Sequence, residues 1–280
     1  MWPFTSKPTV PVLRLNGPIG GGGFRQGLSL AALAGPLEKA FTMSKLPSVA
    51  ILVNSPGGSP VQSNLIFKRI RQLATEKEKK VYVFCEDVAA SGGYFIAVAG
   101  DEIYVDPSSI LGSIGVVAAG FGFVEAIDKL GIERRVYTAG ENKSVLDPFK
   151  PEKSEDIDHL LSLQREIHDV FIGVVKDRRG AKLSTTEPDL FTGRFWAGAT
   201  SVELGLADGI MDVRTKMRSL HGDKVQLRVV PTSRKGLFAR LRRLPGIDGD
   251  VSGLRDVGEG VGGGVLSAIE ERALWARYGL

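Results

Sequence analysis

Hydrophobic residues along the chain alternate between short continuous runs and segments with helical spacing. The run "SVAILVN" at 48–54 is rich in aliphatic residues, which is typical of a strand buried on both faces of a sheet. A similar run, "KVYVFCED", occupies 80–87. Between them, apolar residues recur at helical spacing from 61 to 73, behind Ser59 as an N-cap and Pro60 at the first helical position. This stretch therefore predicts a strand–helix–strand unit.

The same alternation extends over most of the chain. Further strands are predicted at 10–15, 101–107, 132–140 and 209–213, and further helices at 91–99, 123–131, 154–178 and 198–205. Glycines end two of these helices, at Gly131 and Gly205. Strands that alternate with helices at this interval predict right-handed βαβ units and a mostly parallel sheet in an α/β fold.

The pattern weakens after about residue 213, which suggests a division of the chain. We predict one α/β domain over 1–213 and a basic, Gly-rich extension over 214–280. Within the extension, 233–264 has the composition of a partly disordered segment, and 265–280 ("VLSAIEERALWARYGL") has the pattern of a terminal helix.

The formal net charge is +4, and the excess of basic residues lies towards the C-terminus. From 214 to 243 there are ten Lys or Arg residues against one acid, Asp223. A solvated basic face explains this, and so does attraction to an anionic membrane surface or to nucleic acid. The segment 233–246 places leucines and a phenylalanine among arginines, so it is read either as a disordered tail or as an amphipathic membrane-surface segment. We expect no nucleic-acid partner.

Several kinds of protein are disfavoured by what the sequence contains. The single cysteine, Cys85, excludes an intrachain disulfide and a multi-cysteine metal site. The longest apolar run, 114–124, is too short for a membrane span, and the N-terminus lacks the pattern of a signal peptide. We therefore expect a cytoplasmic protein that is at most peripheral to the membrane. The histidines do not have the spacing of metal ligands, and the glycines at 20–23 are not followed by Gly-Lys-Ser/Thr. The sequence therefore does not support a metal or a nucleotide cofactor.

Ser91, in "EDVAASGGYFIAVAG", lies where a strand is predicted to turn into a helix. There a hydroxyl lies beside unpaired backbone N–H groups at the positive end of a helix, which can stabilise an anion on a carbonyl oxygen. The small neighbours would let a substrate carbonyl approach closely, and A-x-S-x-G differs by one residue from the G-x-S-x-G nucleophile elbow. A structural N-cap serine explains the same residues.

A nucleophilic serine needs a base. His159, His168 and His221 lie in charged surroundings that favour surface or capping roles. A lysine sheltered from water is an alternative, because burial disfavours its charged form. Lys143, in "TAGENKSVLDPF", follows a predicted strand, although on its own it is typical of a solvated loop charge.

The roles of Ser91 and Lys143 become clearer when five short motifs, which occur along the chain in a fixed order, are compared with those of a known family. They are "NSPGGS" at 54–59, "ASGGYFIA" at 90–97, "LGSIGV" at 111–116, "AGENKSVLDPF" at 139–149 and "FTGRFWAGATSVELGLADGI" at 191–210. Together they resemble the bacterial signal peptide peptidase A / protease IV family of serine–lysine peptidases, over roughly 10–213. The resemblance implies a ClpP/crotonase-like spiral of repeated βαβ units and a peptidase domain at 1–213.

The resemblance also implies a role for each matching residue. Ser91 would be the nucleophile and Lys143 the general base, with Ser113 hydrogen-bonded to the lysine. The backbone N–H groups of Gly58 and Gly92 would form the oxyanion hole. In this family the lysine can come from a neighbouring subunit of a ring or dome, so we expect a homo-oligomer that acts on peptides or unfolded apolar segments.

Two other functions remain open. One is a crotonase-type acyl-CoA enzyme, which would share the spiral and the paired N–H groups but would rely on a carboxylate. The other is a non-catalytic scaffold of the same fold that binds a membrane or a partner through its basic tail. Many relatives carry an N-terminal membrane anchor that this sequence does not show, which leaves signal peptides in doubt as the substrate.

Overall fold

The computed structural model of the chain describes residues 7–21, 27–140, 142–184, 188–232 and 272–279. In these residues the strands are β1 (Thr9–Asn16), β2 (Ser48–Ser55), β3 (Lys80–Ala90), β4 (Glu102–Val105), β5 (Ile110–Gly112), β6 (Phe195–Ala197), β7 (Gly209–Ile210) and β8 (Gln226–Val230). The helices are α1 (Leu30–Thr42), α2 (Pro60–Glu76), α3 (Gly92–Ala97), α4 (Val124–Lys129), α5 (Ser154–Arg179), α6 (Gly198–Glu203) and α7 (Val213–His221).

The described strands form one sheet in the order β6-β5-β3-β2-β1-β8, with β4 and β7 branching from β3. All pairings are parallel except that of β5 with β6. The long strand β3 pairs with β4 through residues 82–85 and with β5 through residues 88–90. The predicted α/β fold with a mostly parallel sheet is confirmed.

The main core lies between one face of the sheet and helices α1, α2, α3 and α5. Helix α2 begins as the sequence predicts, because the Ser59 side chain accepts a hydrogen bond from the Gln62 N–H and Pro60 occupies the first turn. Its inner residues Ile66, Ile70 and Leu73 are fully buried. The short helix α3 is buried along its whole length, which fixes the end of β3 from which it starts.

One predicted strand is wrong. The stretch 132–140 contains β-branched and aromatic side chains that favour a strand, yet none of its residues pairs with a described strand, and Ile132 and Tyr137 are exposed. A strand needs a neighbour to satisfy its backbone groups, and strand-favouring residues alone do not supply one.

The region after residue 213 contributes to the sheet more than the sequence pattern indicates. Helix α7 begins there, capped by the Asp212 side chain, and β8 then pairs in parallel with β1. Residues 272–276 are helical and fall within the terminal helix expected at 265–280, of which residues 265–271 lie outside the described part of the chain. The segment 233–264 and the amphipathic stretch 233–246 lie outside the described residues. None of the described helices has both the length and the apolar character needed to cross a membrane.

A buried ion pair holds the C-terminal end of α5 against the sheet. Arg179 is 4% exposed, and its guanidinium donates to the Asp208 carboxylate at 2.8 Å and to the Gly205 carbonyl at 2.7 Å. Asp208 also accepts from the Ile103 N–H at 2.7 Å and from Lys182 at 2.6 Å. Although burial favours the protonated acid, the hydrogen bonds from Arg179 and Lys182 prevail and lower the pKa of Asp208.

Replacing Asp208 by Asn should lower the free energy of unfolding at pH 7 by about 3 kcal/mol, because it leaves the Arg179 guanidinium buried without its counter-charge. Since the folded-state pKa of Asp208 is lowered, its contribution is present above the ordinary value of 3.8 and is lost as the pH falls below it. Urea unfolding should therefore show the stabilities of wild type and Asp208→Asn converging in acid.

Glu125→Gln, which breaks an exposed pair with Lys129, is the control and should change the free energy of unfolding little. Equal losses in both variants would contradict the role given to the buried pair.

Candidate active site

Ser91 occupies a strained turn between β3 and α3, as its sequence neighbourhood predicts. Its backbone has φ 52° and ψ −123°, a conformation that residues other than glycine rarely adopt. Its side chain makes no capping hydrogen bond to α3, so the structural N-cap interpretation is not supported. The half-buried hydroxyl is thereby left free for chemistry at the start of a helix.

Ser113 lies beside Ser91 because their strands are neighbours. Ala90 of β3 pairs with Gly112 of β5, and each serine is the next residue of its strand. The Ser91 N–H donates to the Gly112 carbonyl at 2.8 Å, and the Ser113 N–H donates to the Arg194 carbonyl at 2.7 Å. Ser113 also has φ 52° and is 3% exposed. Two strained serines therefore share one edge of the sheet.

The loop at Gly57–Gly58 packs against this turn. A Cβ atom added to Gly57 would lie 2.8 Å from the Ser91 Cβ, and one added to Gly92 would lie 2.4 Å from the Ser63 Oγ and 3.4 Å from the Gly58 nitrogen. These positions require glycine because backbone and side chains approach so closely. Among the described residues, neither the Gly58 nor the Gly92 N–H has a hydrogen-bond acceptor. Two free backbone donors thus lie next to Ser91.

A cavity of about 250 Å³ opens beside these groups. Ser91, Gly58 and Gly92 lie at one side of it. The rest of its wall is mostly apolar and comes from α2, α3, α5 and the strand end after Ser113; it consists of Pro60, Val61, Asn64, Phe95, Gly115, Val116, Ile167, Val170 and Phe171. The rings of Phe95 and Phe171 pack with centroids 4.8 Å apart, which joins α3 to α5 at the cavity floor. The cavity suits an apolar group adjoining the hydroxyl.

Lys143 is not among the residues that line this cavity. It lies in a turn at 142–146, its side chain is exposed, and its N–H donates to the Gly140 carbonyl at 3.4 Å. The turn is fixed locally, since Arg134 pairs with Asp147 at 3.1 Å and stacks over Phe149. Within one chain the structure therefore brings together four of the five predicted site residues, while Lys143 lies in the exposed turn.

Residues 116–140, which we call the exposed arm, connect Ser113 to the Lys143 turn. They carry apolar side chains with large exposed fractions: Val117 69%, Phe121 82%, Leu130 73%, Ile132 54% and Tyr137 90%. So many large apolar side chains exposed in one segment are typical of an interface with another protein.

The histidines keep to structural contacts. His168 Nε2 lies 2.9 Å from the Ile114 carbonyl, which ties α5 to the residue after Ser113, and His221 Nε2 lies 2.9 Å from the Ser48 Oγ. Burial raises the pKa of the Cys85 thiol to about 12, so this thiol is not poised for nucleophilic chemistry. In the described part of the chain no group of three or more His, Cys, Asp or Glu residues is arranged to hold a metal ion.

One contact of the candidate site has no counterpart in the sequence-based predictions. The hydroxyl of Tyr278, near the C-terminus, donates to the Ser113 Oγ at 3.3 Å. The two residues are 165 positions apart, so neither periodicity nor motif spacing connects them. The sequence gives a signal only in the apolar pattern of the terminal segment, in which the tyrosine follows the helical residues 272–276.

The known proteins to which this chain is similar carry different names. The chain is 57% identical over 275 residues to a protein named Na(+)/H(+) antiporter NhaA from Brucella abortus, a match that covers 97% of this chain and 37% of that protein. It is 35% identical over 181 residues to protease 4 of Haemophilus influenzae, covering 62% of this chain and 28% of the relative. It is 29% identical over 188 residues to a putative signal peptide peptidase SppA of Enterococcus faecium, covering 67% and 54%.

The chain spans between about a quarter and just over half the length of these relatives. The antiporter name therefore belongs to a protein of which little more than a third is matched. The family model for peptidase family S49, by contrast, matches residues 74–227 of this chain, from the end of α2 to β8. That range includes Ser91, Ser113 and Lys143, and the resemblance to signal peptide peptidase A and protease IV is confirmed. The chain belongs to peptidase family S49.

Proposed function

We propose that this chain is a serine endopeptidase in which Ser91 is the nucleophile and Lys143 of a neighbouring copy is the general base. The observation that carries the proposal is the strained Ser91 hydroxyl between two unpaired backbone donors, at the mouth of an apolar cavity. Peptidase family S49 supplies the reaction class.

The proposed reaction follows from these groups. The neutral Lys143 amine takes the proton of the Ser91 hydroxyl as the oxygen attacks the carbonyl carbon of the scissile peptide bond. Negative charge then develops on the carbonyl oxygen, where the N–H groups of Gly58 and Gly92 would donate to it. The tetrahedral intermediate collapses with cleavage of the C–N bond, and the lysine returns its proton to the leaving amine. Water hydrolyses the acyl-enzyme by the same route.

Assembly explains how a lysine that is exposed in one chain could act as a base. A solvated amine is protonated at neutral pH, so the base must be sheltered from water when it acts. The exposed arm and the Lys143 turn offer apolar surface for a second copy to cover. A homo-oligomer in which the turn of one copy reaches Ser91 of the next would bury the amine and that surface together.

The cavity supports a preference for apolar substrate side chains. Its wall offers mainly aliphatic and aromatic carbon, and Ser91 is one of the residues that line it. Burying a leucine-sized side chain there would contribute about 1.5–3 kcal/mol to binding. Peptides or unfolded apolar segments, cleaved in the cytoplasm or at the membrane surface, fit this description.

Replacing Ser91 by Ala or Lys143 by Ala should each reduce peptide hydrolysis by at least about a thousandfold, because one removes the nucleophile and the other its base. The measurement is turnover of a fluorogenic peptide by the full chain, with labelling of Ser91 by a fluorophosphonate. Lys45→Ala, which removes an exposed lysine outside the arm and the Lys143 turn, is the control and should keep its turnover. Unchanged hydrolysis by Lys143→Ala would exclude the dyad, and absence of Ser91 labelling in an active assembly would favour an acyl-CoA enzyme instead.

Mixing the two inactive variants tests whether the site is shared. In a ring of randomly mixed subunits, a Lys143→Ala chain still supplies Ser91 and a Ser91→Ala chain supplies Lys143, so about a quarter of the sites regain both groups. Co-refolding the variants in equal amounts should therefore restore about a quarter of wild-type turnover, with each variant refolded alone as the control. No recovery from an assembled mixture would mean that both groups act within one chain.

Val116→Phe tests the cavity. A phenyl ring in place of the isopropyl group at the cavity wall leaves less space for a substrate side chain, so kcat/KM for a peptide with leucine before the cleaved bond should fall about tenfold relative to one with alanine. Parallel kinetics on the two peptides give this ratio. An unchanged ratio would show that the cavity does not receive the substrate.

A further inference from the structure

The C-terminal segment packs on the side of the catalytic strands that faces away from the main core. Tyr278 is 7% exposed and forms a cluster with the buried residues Val88 and Ala90 of β3. Its ring meets that of Phe195 edge-on, with centroids 5.2 Å apart. Residues 272–279 thus cover the end of the strand that leads into Ser91.

The Tyr278 hydroxyl connects the two halves of the candidate site. It lies 3.3 Å from the Ser113 Oγ and 3.5 Å from the Pro56 carbonyl oxygen, which precedes the Gly57–Gly58 loop. Among the described residues it is the only side-chain group that hydrogen-bonds to the Ser113 hydroxyl. The surroundings are buried, so water does not compete freely for these contacts.

We propose that Tyr278 is a positioning residue that orients the Ser113 hydroxyl towards the catalytic amine. The inference rests on the proposed function, in which Ser113 is the hydrogen-bond partner of Lys143. It adds a residue from outside the stretch that the family model matches, 74–227.

The hydrogen-bonding capacity of a serine hydroxyl explains the effect. The oxygen has one proton and two acceptor sites. Donation from the Tyr278 hydroxyl occupies one acceptor site of the Ser113 oxygen. The other acceptor site and the Ser113 proton then point away from Tyr278, to the side from which the lysine amine would approach. An oxygen that already accepts one hydrogen bond is also a poorer acceptor for an ammonium group, which favours the neutral amine that the reaction needs.

Tyr278→Phe removes the hydroxyl while keeping the ring contacts with Phe195 and β3. We expect kcat to fall about threefold to tenfold, the effect of one lost hydrogen bond. The acid limb of the pH–rate profile, which reports protonation of the base, should move to higher pH by about half a unit. In a Ser113→Ala background the same change should have no further effect on that limb, because the partner it acts through is gone.

Tyr104→Phe is the matched control, since it removes a tyrosine hydroxyl that bonds to Glu102 at the far end of the sheet. It should leave the pH profile unchanged, and thermal unfolding of each variant separates folding defects from site effects. An unshifted acid limb in a folded Tyr278→Phe, or a shift that persists without Ser113, would overturn the proposal. Higher turnover in Tyr278→Phe would overturn it too, by identifying the segment as an obstruction.

These outcomes are separate from the fate of the proposed function. If Ser91→Ala and Lys143→Ala are inactive while Tyr278→Phe behaves as wild type, the dyad stands and the positioning role fails. If Lys143→Ala retains full activity, the proposed dyad is excluded. A shift of the acid limb in Tyr278→Phe could then no longer be attributed to protonation of Lys143.

Discussion

The parallel pairing of β3 with β5 is the constraint on which the candidate site depends. Its last register pair, Ala90 with Gly112, makes the next residues of both strands neighbours, and the 2.8 Å hydrogen bond from the Ser91 N–H to the Gly112 carbonyl closes the arrangement. Both serines leave their strands at φ 52°, a conformation that costs about 1–3 kcal/mol each. The fully buried β3 end and α3 hold them there, so core packing maintains the strain at the site.

Local chemistry explains which parts of the fold could be predicted. Continuous apolar runs, the Ser59–Pro60 helix start and the glycine stops act within a few residues, and the elements that they predict are present. The stretch 132–140 has a strand pattern but no strand partner, because pairing depends on distant parts of the chain. For the same reason β8, which pairs with β1 from the other end of the sequence, was not expected as part of the sheet.

The candidate site shows the same division. Ser91 carries a local signal, since its small neighbours and its strand-to-helix position follow from adjacent residues. Ser113 and Gly58 become candidates only through the resemblance, because nothing near them in sequence marks them as chemical groups. Lys143 has a loop position that is equally typical of a solvated charge, and only the resemblance singles it out as the base. The Tyr278 contact depends on a strand and a terminal segment 165 residues apart, which neither local pattern nor family motif connects.

The distribution of exposure connects the proposed chemistry to assembly. Ser113 is buried within one chain, whereas the Lys143 turn and the apolar side chains of the exposed arm face outward. On the proposed function, an isolated chain has Ser91 and the two backbone donors side by side but has its lysine in a separate, exposed turn. Covering the arm would remove water from its apolar side chains and from the amine in one step. In this proposal the hydrophobic effect would drive association and also provide the neutral base, and assembly would then be the condition for peptide cleavage.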